Sequence, residues 1–312
     1  MSIDASLIRQ AAASAAGAQQ YPKGALYVVA TPIGNLADLS LRALHVLGLV
    51  DAVACEDTRV TGALLRHFGI DKPLVALHEH NEVEASQAVV DRLARGERIA
   101  YASDAGTPAV SDPGARLVAA VQAAGHRVLP LPGASSVTAA LSAAGDAQSP
   151  GFRFVGFLSP KATERAGQLN ALAAESQTLL LLESPHRIEA LAAALAEAMP
   201  LRTVTLCREL TKQFEAIDRL PASALPGWLA ADPNRSRGEF VVVLHATTAP
   251  AADRPVDAAE RLLRVLLAAL PLKQAVALAA EASGAPRNAL YQRALALKAD
   301  GGTDDEAEDG AR

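Results

Sequence analysis

The chain runs to 312 residues, half of them hydrophobic, with a formal net charge of −5. That length suits about two domains with sizeable cores, and no uncharged apolar run approaches the roughly 18 residues that would span a membrane. Residues 300–312 hold six acids against the single base Arg312, so the rest of the chain is neutral, and whole-chain charge gives no support for a nucleic-acid partner.

In chain order, Met1–Gln20 is rich in Ala and Ser but carries Asp4 and Arg9. It lacks the basic start and apolar core of a signal peptide, and residues 1–23 are expected to be a disordered lead-in. Leu26–Ala30 is a short β-branched and aromatic run, followed by similar runs at Ala52–Cys55, Leu74–Leu77, Ile99–Ala102 and Val128–Leu131. Amphipathic stretches at Leu41–Leu49, Val83–Arg95 and Ala115–Ala124 alternate with them. This alternation predicts a mostly parallel sheet with helices on both faces, whose ligands bind at the carboxyl ends of the strands.

The rhythm changes after Ser149-Pro150-Gly151. Strands are expected at Phe152–Phe157, Thr178–Leu182, Thr203–Leu206, Phe214–Ile217 and Phe240–His245, and a helix at Ile188–Met199. The fold class is therefore α/β in two domains, 24–148 and, as α+β, 149–246, followed by a linker over 247–256. From Asp257, with Glu260 three residues on as in a capping box, a helical module over 257–299 reads as helix, Gly-containing turn and helix. A packed helix pair and a nucleic-acid reader share that outline. Residues 300–312 form an acidic tail. Cys55 and Cys207 lie far apart inside apolar runs, which suits buried free thiols in a reducing, cytoplasmic compartment better than a disulfide or metal site.

Several loops at expected strand ends are too rich in Gly, Pro and polar residues to be spacers. Thr31-Pro32-Ile33-Gly34-Asn35 follows the first strand, where a Gly allows close approach of backbone to ligand; no G-x-G-x-x-G accompanies it. In Ser103–Gly114, two Gly and two Pro fix an unusual path, and Asp104 suits either ligand contact or capping of the loop's own amides. In Pro130–Ser136, Ser135 fits an N-cap as well as a ligand contact. Glu56-Asp57-Thr58-Arg59 and His78-Glu79-His80-Asn81-Glu82 close the second and third strands. The latter suits an acid/base loop facing substrate, a capping surface loop or, less well, a metal site. Glu183–Arg187 and Arg208–Lys212 close two later strands, with Arg187, Arg208 and Lys212 as candidate phosphate contacts.

Eight motifs in order, ATPIGNLADLS, EDTR, HEHNE, SDAGTPAVSDPG, PLPGASS, ESPHR, RELTK and GEFVVVL, resemble the ribosomal RNA small-subunit methyltransferase I family of the tetrapyrrole methylase, or class III methyltransferase, superfamily. The resemblance covers roughly Leu26 to His245, and the last helices resemble that family's helix-turn-helix module. It implies S-adenosylmethionine bound between two α/β domains, methylation of a cytidine 2′-hydroxyl in the decoding region of small-subunit ribosomal RNA, and a homodimer. Carried onto this chain, Thr31, Pro32, Gly34, Asp104, Gly106, Thr107, Ser135 and Ser136 would hold the cofactor from the first domain, and Leu182, Glu183, Arg208 and Phe240 from the second. His78, Glu79, His80 and Glu82 are the acid/base candidates, because a ribose hydroxyl is a weak nucleophile that benefits from a base. Arg59, Asn81, His186, Arg187, Lys212, Arg287 and Arg293 are the expected RNA contacts, and no metal is needed. A precorrin-type tetrapyrrole methyltransferase is the alternative in the same fold, though its typical Gly-Pro-Gly-Asp-Pro start is missing. A non-catalytic RNA-binding assembly factor is the alternative from another class.

Overall fold

A computed structural model describes residues 4–78, 81–111, 113–149, 151–247 and 255–300. The first sheet comprises β1 (Ala25–Val29), β2 (Ala52–Cys55), β3 (Leu74–Ala76), β4 (Ile99–Ala102) and β5 (Arg127–Leu131), in the order β3-β2-β4-β1-β5 and wholly parallel. Helices α2 (Leu41–Leu49), α3 (Thr58–His67), α4 (Glu82–Ala94), α5 (Ala115–Ala123) and α6 (Ser136–Ala144) complete this half. β2 and β4 are fully buried along their length, as parallel strands covered on both faces must be. One face packs Tyr27, Val29 and Val53 with Leu44 and Leu47; the other packs Leu26 and Tyr101 with Val89, Leu93 and Leu117.

The expected disordered lead-in is instead a helix, α1 (Ala5–Ala16). Asp4 caps it by accepting the Ser6 amide at 2.9 Å, alanine has the best helix propensity, and Ala12 is buried in the same cluster as Ala43 and Leu44 of α2. Only a small side chain lets two helices meet so closely, and that partner lies outside the segment.

The second sheet comprises β6 (Phe152–Gly156), β7 (Thr178–Glu183), β8 (Thr203–Arg208), β9 (Ala216–Pro221) and β10 (Phe240–Leu244), in the order β6-β7-β10-β8-β9. β6 runs parallel to β7, and the other neighbours are antiparallel. α7 (Ala162–Ala173), α8 (Ile188–Ala198) and α9 (Leu225–Ala230) accompany it. The strand expected over Phe214–Ile217 starts at Ala216, which leaves Phe214 exposed in the preceding turn. α6 of the first half packs Val137 and Ala140 against Leu180, Val241 and Val243 of this sheet, and both sheets belong to one compact unit.

A buried polar cluster ties β7, β8 and β10 together. Asp146 accepts the Thr178 hydroxyl and the Ala246 amide, both at 2.6 Å, while His245 Nε2 lies 2.7 Å from Thr205 Oγ1. Burial lowers the His245 pKa below its ordinary 6.5, although Asp146 opposes the shift. The folded chain therefore resists a proton that the unfolded chain accepts, and stability is lost as pH falls below about 6.5. Melting temperatures at pH 7.5 and 5.5 are expected to differ more for the wild type than for His245→Gln.

The three C-terminal helices, α10 (Pro255–Ala269), α11 (Leu272–Ser283) and α12 (Arg287–Asp300), belong to a second compact unit. Its core gathers Leu263, Val276, Ala279, Leu290 and Ala294. α11 ends on Gly284 at φ +69°, the left-handed stop that glycine supplies most readily. α10 begins at Pro255, two residues before the expected capping box; a proline at a first helical position loses no hydrogen bond. Residues 248–254 of the expected linker and 301–312 of the acidic tail lie outside the described residues.

Candidate functional site

Three of the Gly/Pro loops form one layered rim above β1, β4 and β5. Thr31 and Gly106 exchange backbone hydrogen bonds of 2.9 and 3.1 Å, and the buried Thr31 hydroxyl donates to Ser103 O at 3.1 Å. The Thr107 hydroxyl donates to Ala134 O at 3.1 Å, joining the second loop to the third. The far end of the second loop is fixed by Tyr101, whose hydroxyl donates to Pro113 O at 2.7 Å, and by Glu82, which accepts the Gly114 amide at 3.1 Å. Among the described residues, the non-glycine positions with φ between +51° and +67° are Ala109, Ser111, Glu209 and Thr211. All four lie in the Ser103–Gly114 and Arg208–Lys212 loops, and each stores about 1–3 kcal/mol of strain of the kind that clusters at ligand sites.

Between the rim and the ends of β7, β8 and β10 lies a cavity of about 400 Å³. Ser136, Leu182, Glu183 and Phe240 of the expected cofactor set line it, together with Ile33, Ala105, Ser111 and Phe157. Ile33 and Ala105 stood inside the motifs without being singled out; Phe157 carried no signal beyond closing the strand expected over Phe152–Phe157, which ends at Gly156. Cys207 also lines the wall, and burial pushes its thiol up to about 12, so it serves as an apolar surface. Glu183 is 3 % exposed; its Oε1 accepts the Ser184 amide at 2.8 Å and lies 3.2 Å from Arg187 Nε.

Thr31, Pro32 and Asp104 line a different cavity, of about 300 Å³, on the α3 side of the rim. Its walls include Leu36 and Val60, exposed at 41 % and 43 %. Asp104 Oδ1 accepts the Asp57 amide at 3.0 Å, and its other oxygen accepts no hydrogen bond from a described residue. The two cavities adjoin through the backbone, for Pro32 and Asp104 border one while their neighbours Ile33 and Ala105 border the other.

Gly34 touches neither cavity wall. A Cβ there would come within 2.4 Å of Lys212 Cγ, and Lys212 cannot swing away because its ammonium is held by Glu209 and Glu239, each at 2.9 Å. Gly34→Ala is expected to cost about 1–3 kcal/mol of overpacking, a loss of several degrees in melting temperature, with weakened cofactor binding in the same titration. A variant with wild-type melting and affinity would contradict this packing role.

Residues 25–226 match the family of tetrapyrrole (corrin/porphyrin) methylases, and residues 253–298 match the RsmI C-terminal HTH domain. A ribosomal RNA small subunit methyltransferase I of Pseudomonas aeruginosa is 51 % identical over 274 residues, covering 87 % of this chain and 97 % of the relative. Its counterpart in Escherichia coli is 48 % identical over 277 residues, covering 88 % and 95 %. The chain belongs to the ribosomal RNA small subunit methyltransferase I family. Among solved structures, a cobalt precorrin-4 methyltransferase superposes with a TM-score of 0.55 at 18 % identity, covering 73 % of this chain and 98 % of the other. Diphthine synthase also reaches 0.55, at 19 % identity, covering 71 % and 90 %. Likeness at that identity shows the shared fold.

This methyltransferase has charged motifs at its strand ends, but most of the cations expected to meet RNA already pair with groups of their own chain. Arg59 is paired with Asp57 at 2.6 Å, and that guanidinium, with the Arg59 amide, holds the Asp57 carboxyl down at about 2. Arg187 donates to Leu158 O at 2.6 Å beside Glu183. Burial would lower the Lys212 ammonium, but Glu209 and Glu239 outweigh it and hold it high. Arg293 reaches Glu260 through two bonds of 2.6 and 2.9 Å, joining α12 to α10. Asn81 spends its amide on its own loop, accepting from the His78 amide at 2.8 Å and donating to Ala76 O at 3.0 Å. His186 and Arg287 are exposed.

The acid/base loop is not gathered at the cavities either. β3 is the edge strand, so His78 stands two strand spacings from β4 and three from β1, roughly 10 and 14 Å. Glu82 is 7 % exposed and committed to Gly114, with Arg116 Nε at 3.8 Å; Glu79 and His80 lie outside the described residues. Arg208, expected at the cofactor, lines another cavity on the far side of its turn. Ser135 precedes α6 with no capping bond from its side chain.

Proposed function

We propose that this chain transfers the methyl group of S-adenosylmethionine to the 2′-hydroxyl of a cytidine in small-subunit ribosomal RNA, with the cofactor in the larger cavity and the acceptor nucleotide in the smaller. The observation that carries the arrangement is the shared wall: Pro32–Ile33 and Asp104–Ala105 each give one residue to either side. Reactants seated in the two cavities converge at the edge these residues share. The hydroxyl oxygen would have to reach past that edge to contact the methyl carbon directly, in line with the leaving sulfur; that alignment is what methyl transfer chiefly needs. The larger cavity suits the cofactor, being mostly apolar with a few fixed polar groups such as Ser136 and Glu183. When bound, the sulfonium supplies an already activated methyl group.

The chain's own part is to orient the hydroxyl and take its proton. Asp104 replaces the His78–Glu82 loop as our candidate, because its carboxylate borders the acceptor cavity with one oxygen fixed by the Asp57 amide and the other open. The exposed Leu36 and Val60 would hold the flipped base between apolar walls, as enzymes acting on single nucleotides do. The C-terminal helices would add affinity through the exposed Arg287. Work in the cytoplasm as a homodimer completes the proposal, and the two buried free thiols fit a reducing compartment.

Incubation with methyl-labelled cofactor and either small ribosomal subunits, bare ribosomal RNA or a precorrin tests the reading. Label is expected in the ribosomal RNA of the subunits. Label in the precorrin alone would favour the tetrapyrrole alternative, and label in none of them a binding factor.

A further inference from the structure

On the far side of the Arg208–Lys212 turn, a third cavity of about 450 Å³ is lined by Arg208, Glu209, Phe214, Asn234, Arg237 and Gly238. Its wall is built to a fixed shape. Glu209 sits at φ +51° and Gly238 at φ +89°, and a Cβ on Gly238 would fall 2.4 Å from Glu209 Cγ, so only glycine lets the two segments close. Oε1 of Glu209 accepts from Lys212 Nζ and from the Glu239 amide, each at 2.9 Å.

Neither Arg208 nor Arg237 has a carboxylate within 4.0 Å among the described residues, and Arg208 Nε is buried without a hydrogen-bond partner. Arg208 Nη1 makes one long contact, 3.5 Å to Arg237 O. Arg59, Arg187, Lys212 and Arg293, by contrast, each have a carboxylate of this chain within 3.2 Å. Beside the two open guanidiniums stands the ring of Phe214, 68 % exposed. A buried donor left unpaired is costly, an exposed aromatic ring is also unfavourable, and both sit on one concave wall.

We propose that this cavity docks a single-stranded nucleotide of the RNA substrate apart from the one that is methylated. Its base stacks on Phe214 and its phosphate takes the forks of Arg208 and Arg237, a pairing of aromatic platform and bidentate cations that single-stranded nucleic acid favours. Asn234 supplies an amide to the sugar or base edge. The inference rests on the reading that the acceptor is RNA.

The full-length chain, with Phe214→Ala, Phe214→Tyr and Arg237→Ala, is to be titrated into a labelled single-stranded RNA oligonucleotide and into small ribosomal subunits at several salt concentrations. Phe214→Ala should weaken RNA binding roughly tenfold, as loss of one base stack does, and Phe214→Tyr should restore it. Arg237→Ala should reduce the slope of log affinity against log salt by about 0.7. S-adenosylmethionine affinity by calorimetry should stay at the wild-type value in all three. Wild-type RNA affinity and salt slope in Phe214→Ala and Arg237→Ala would overturn the inference alone. So would a change of sedimentation in Phe214→Ala without loss of RNA affinity, which would make the surface a contact between two copies. A wild-type chain that binds neither RNA would overturn this inference and the RNA reading together.

Discussion

Asp104→Ala is expected to slow methyl transfer by about a hundredfold or more, the usual contribution of a positioned base, while S-adenosylmethionine affinity changes little. The carboxylate borders the acceptor-side cavity and not the larger one, so its loss should fall on turnover. Its first oxygen also anchors the Asp57 amide at 3.0 Å, and alanine would leave that amide unpaired at about 1–3 kcal/mol. Asp104→Asn separates the two jobs, because the amide oxygen can still accept from Asp57 while the group can no longer take a proton. The asparagine variant should therefore melt like the wild type and turn over as slowly as the alanine variant. Were Asp104 instead a cofactor ligand, the alanine variant would lose roughly tenfold or more in calorimetric affinity. His78→Ala, two strands from β4 at the sheet edge, should keep near-normal turnover; a hundredfold loss there would return the proton to the His78–Glu82 loop.

The second large effect is expected at Gly114. It stands at φ +119°, and a Cβ would lie 2.2 Å from the ring of Tyr101, which is itself fully buried. Tyr101 cannot yield without surrendering its hydrogen bond to Pro113 O. Gly114→Ala adds backbone strain of about 1–3 kcal/mol to overpacking of about 1–3 kcal/mol. A melting temperature lowered by about 5–15 °C is expected. Because the loop it closes carries Asp104, Ala105 and Ser111, both cofactor affinity and turnover should drop at temperatures where the variant is still folded. Glu82→Gln, which keeps an acceptor for the Gly114 amide, should do much less.

The strands of the parallel sheet were legible because short apolar runs such as Leu26–Ala30 and Ala52–Cys55 are bounded by turn residues, and their parallel pairing follows from the alternating helices. The ATPIG, SDAGTP and PLPGASS loops were legible as a rim for the same reason, since strand ends and Gly/Pro content are local properties. What each side chain in that rim does was not local. Thr31 and Asp104 face one cavity, Ser136 and Phe240 another, and Arg208 a third, although the sequence places them all in similar loops. Two of the cations have partners that are not local either. Lys212 finds Glu239 across the β8–β10 pairing, and Arg293 finds Glu260 across two helices; neither partner sits in the motif that made the cation conspicuous. The lead-in was misread because an alanine-rich stretch looks featureless until the surface that buries Ala12 and Ala16 is known.

The position of the methyl group on the RNA shows whether the 2′-hydroxyl is the acceptor. Small ribosomal subunits methylated by the full-length chain with methyl-labelled cofactor should yield, after alkaline hydrolysis of the RNA, label in a dinucleotide whose first residue is cytidine. A methylated 2′-oxygen cannot attack the neighbouring phosphate, so that one linkage survives the alkali. Label released entirely in mononucleotides would place the methyl on a base and contradict the account.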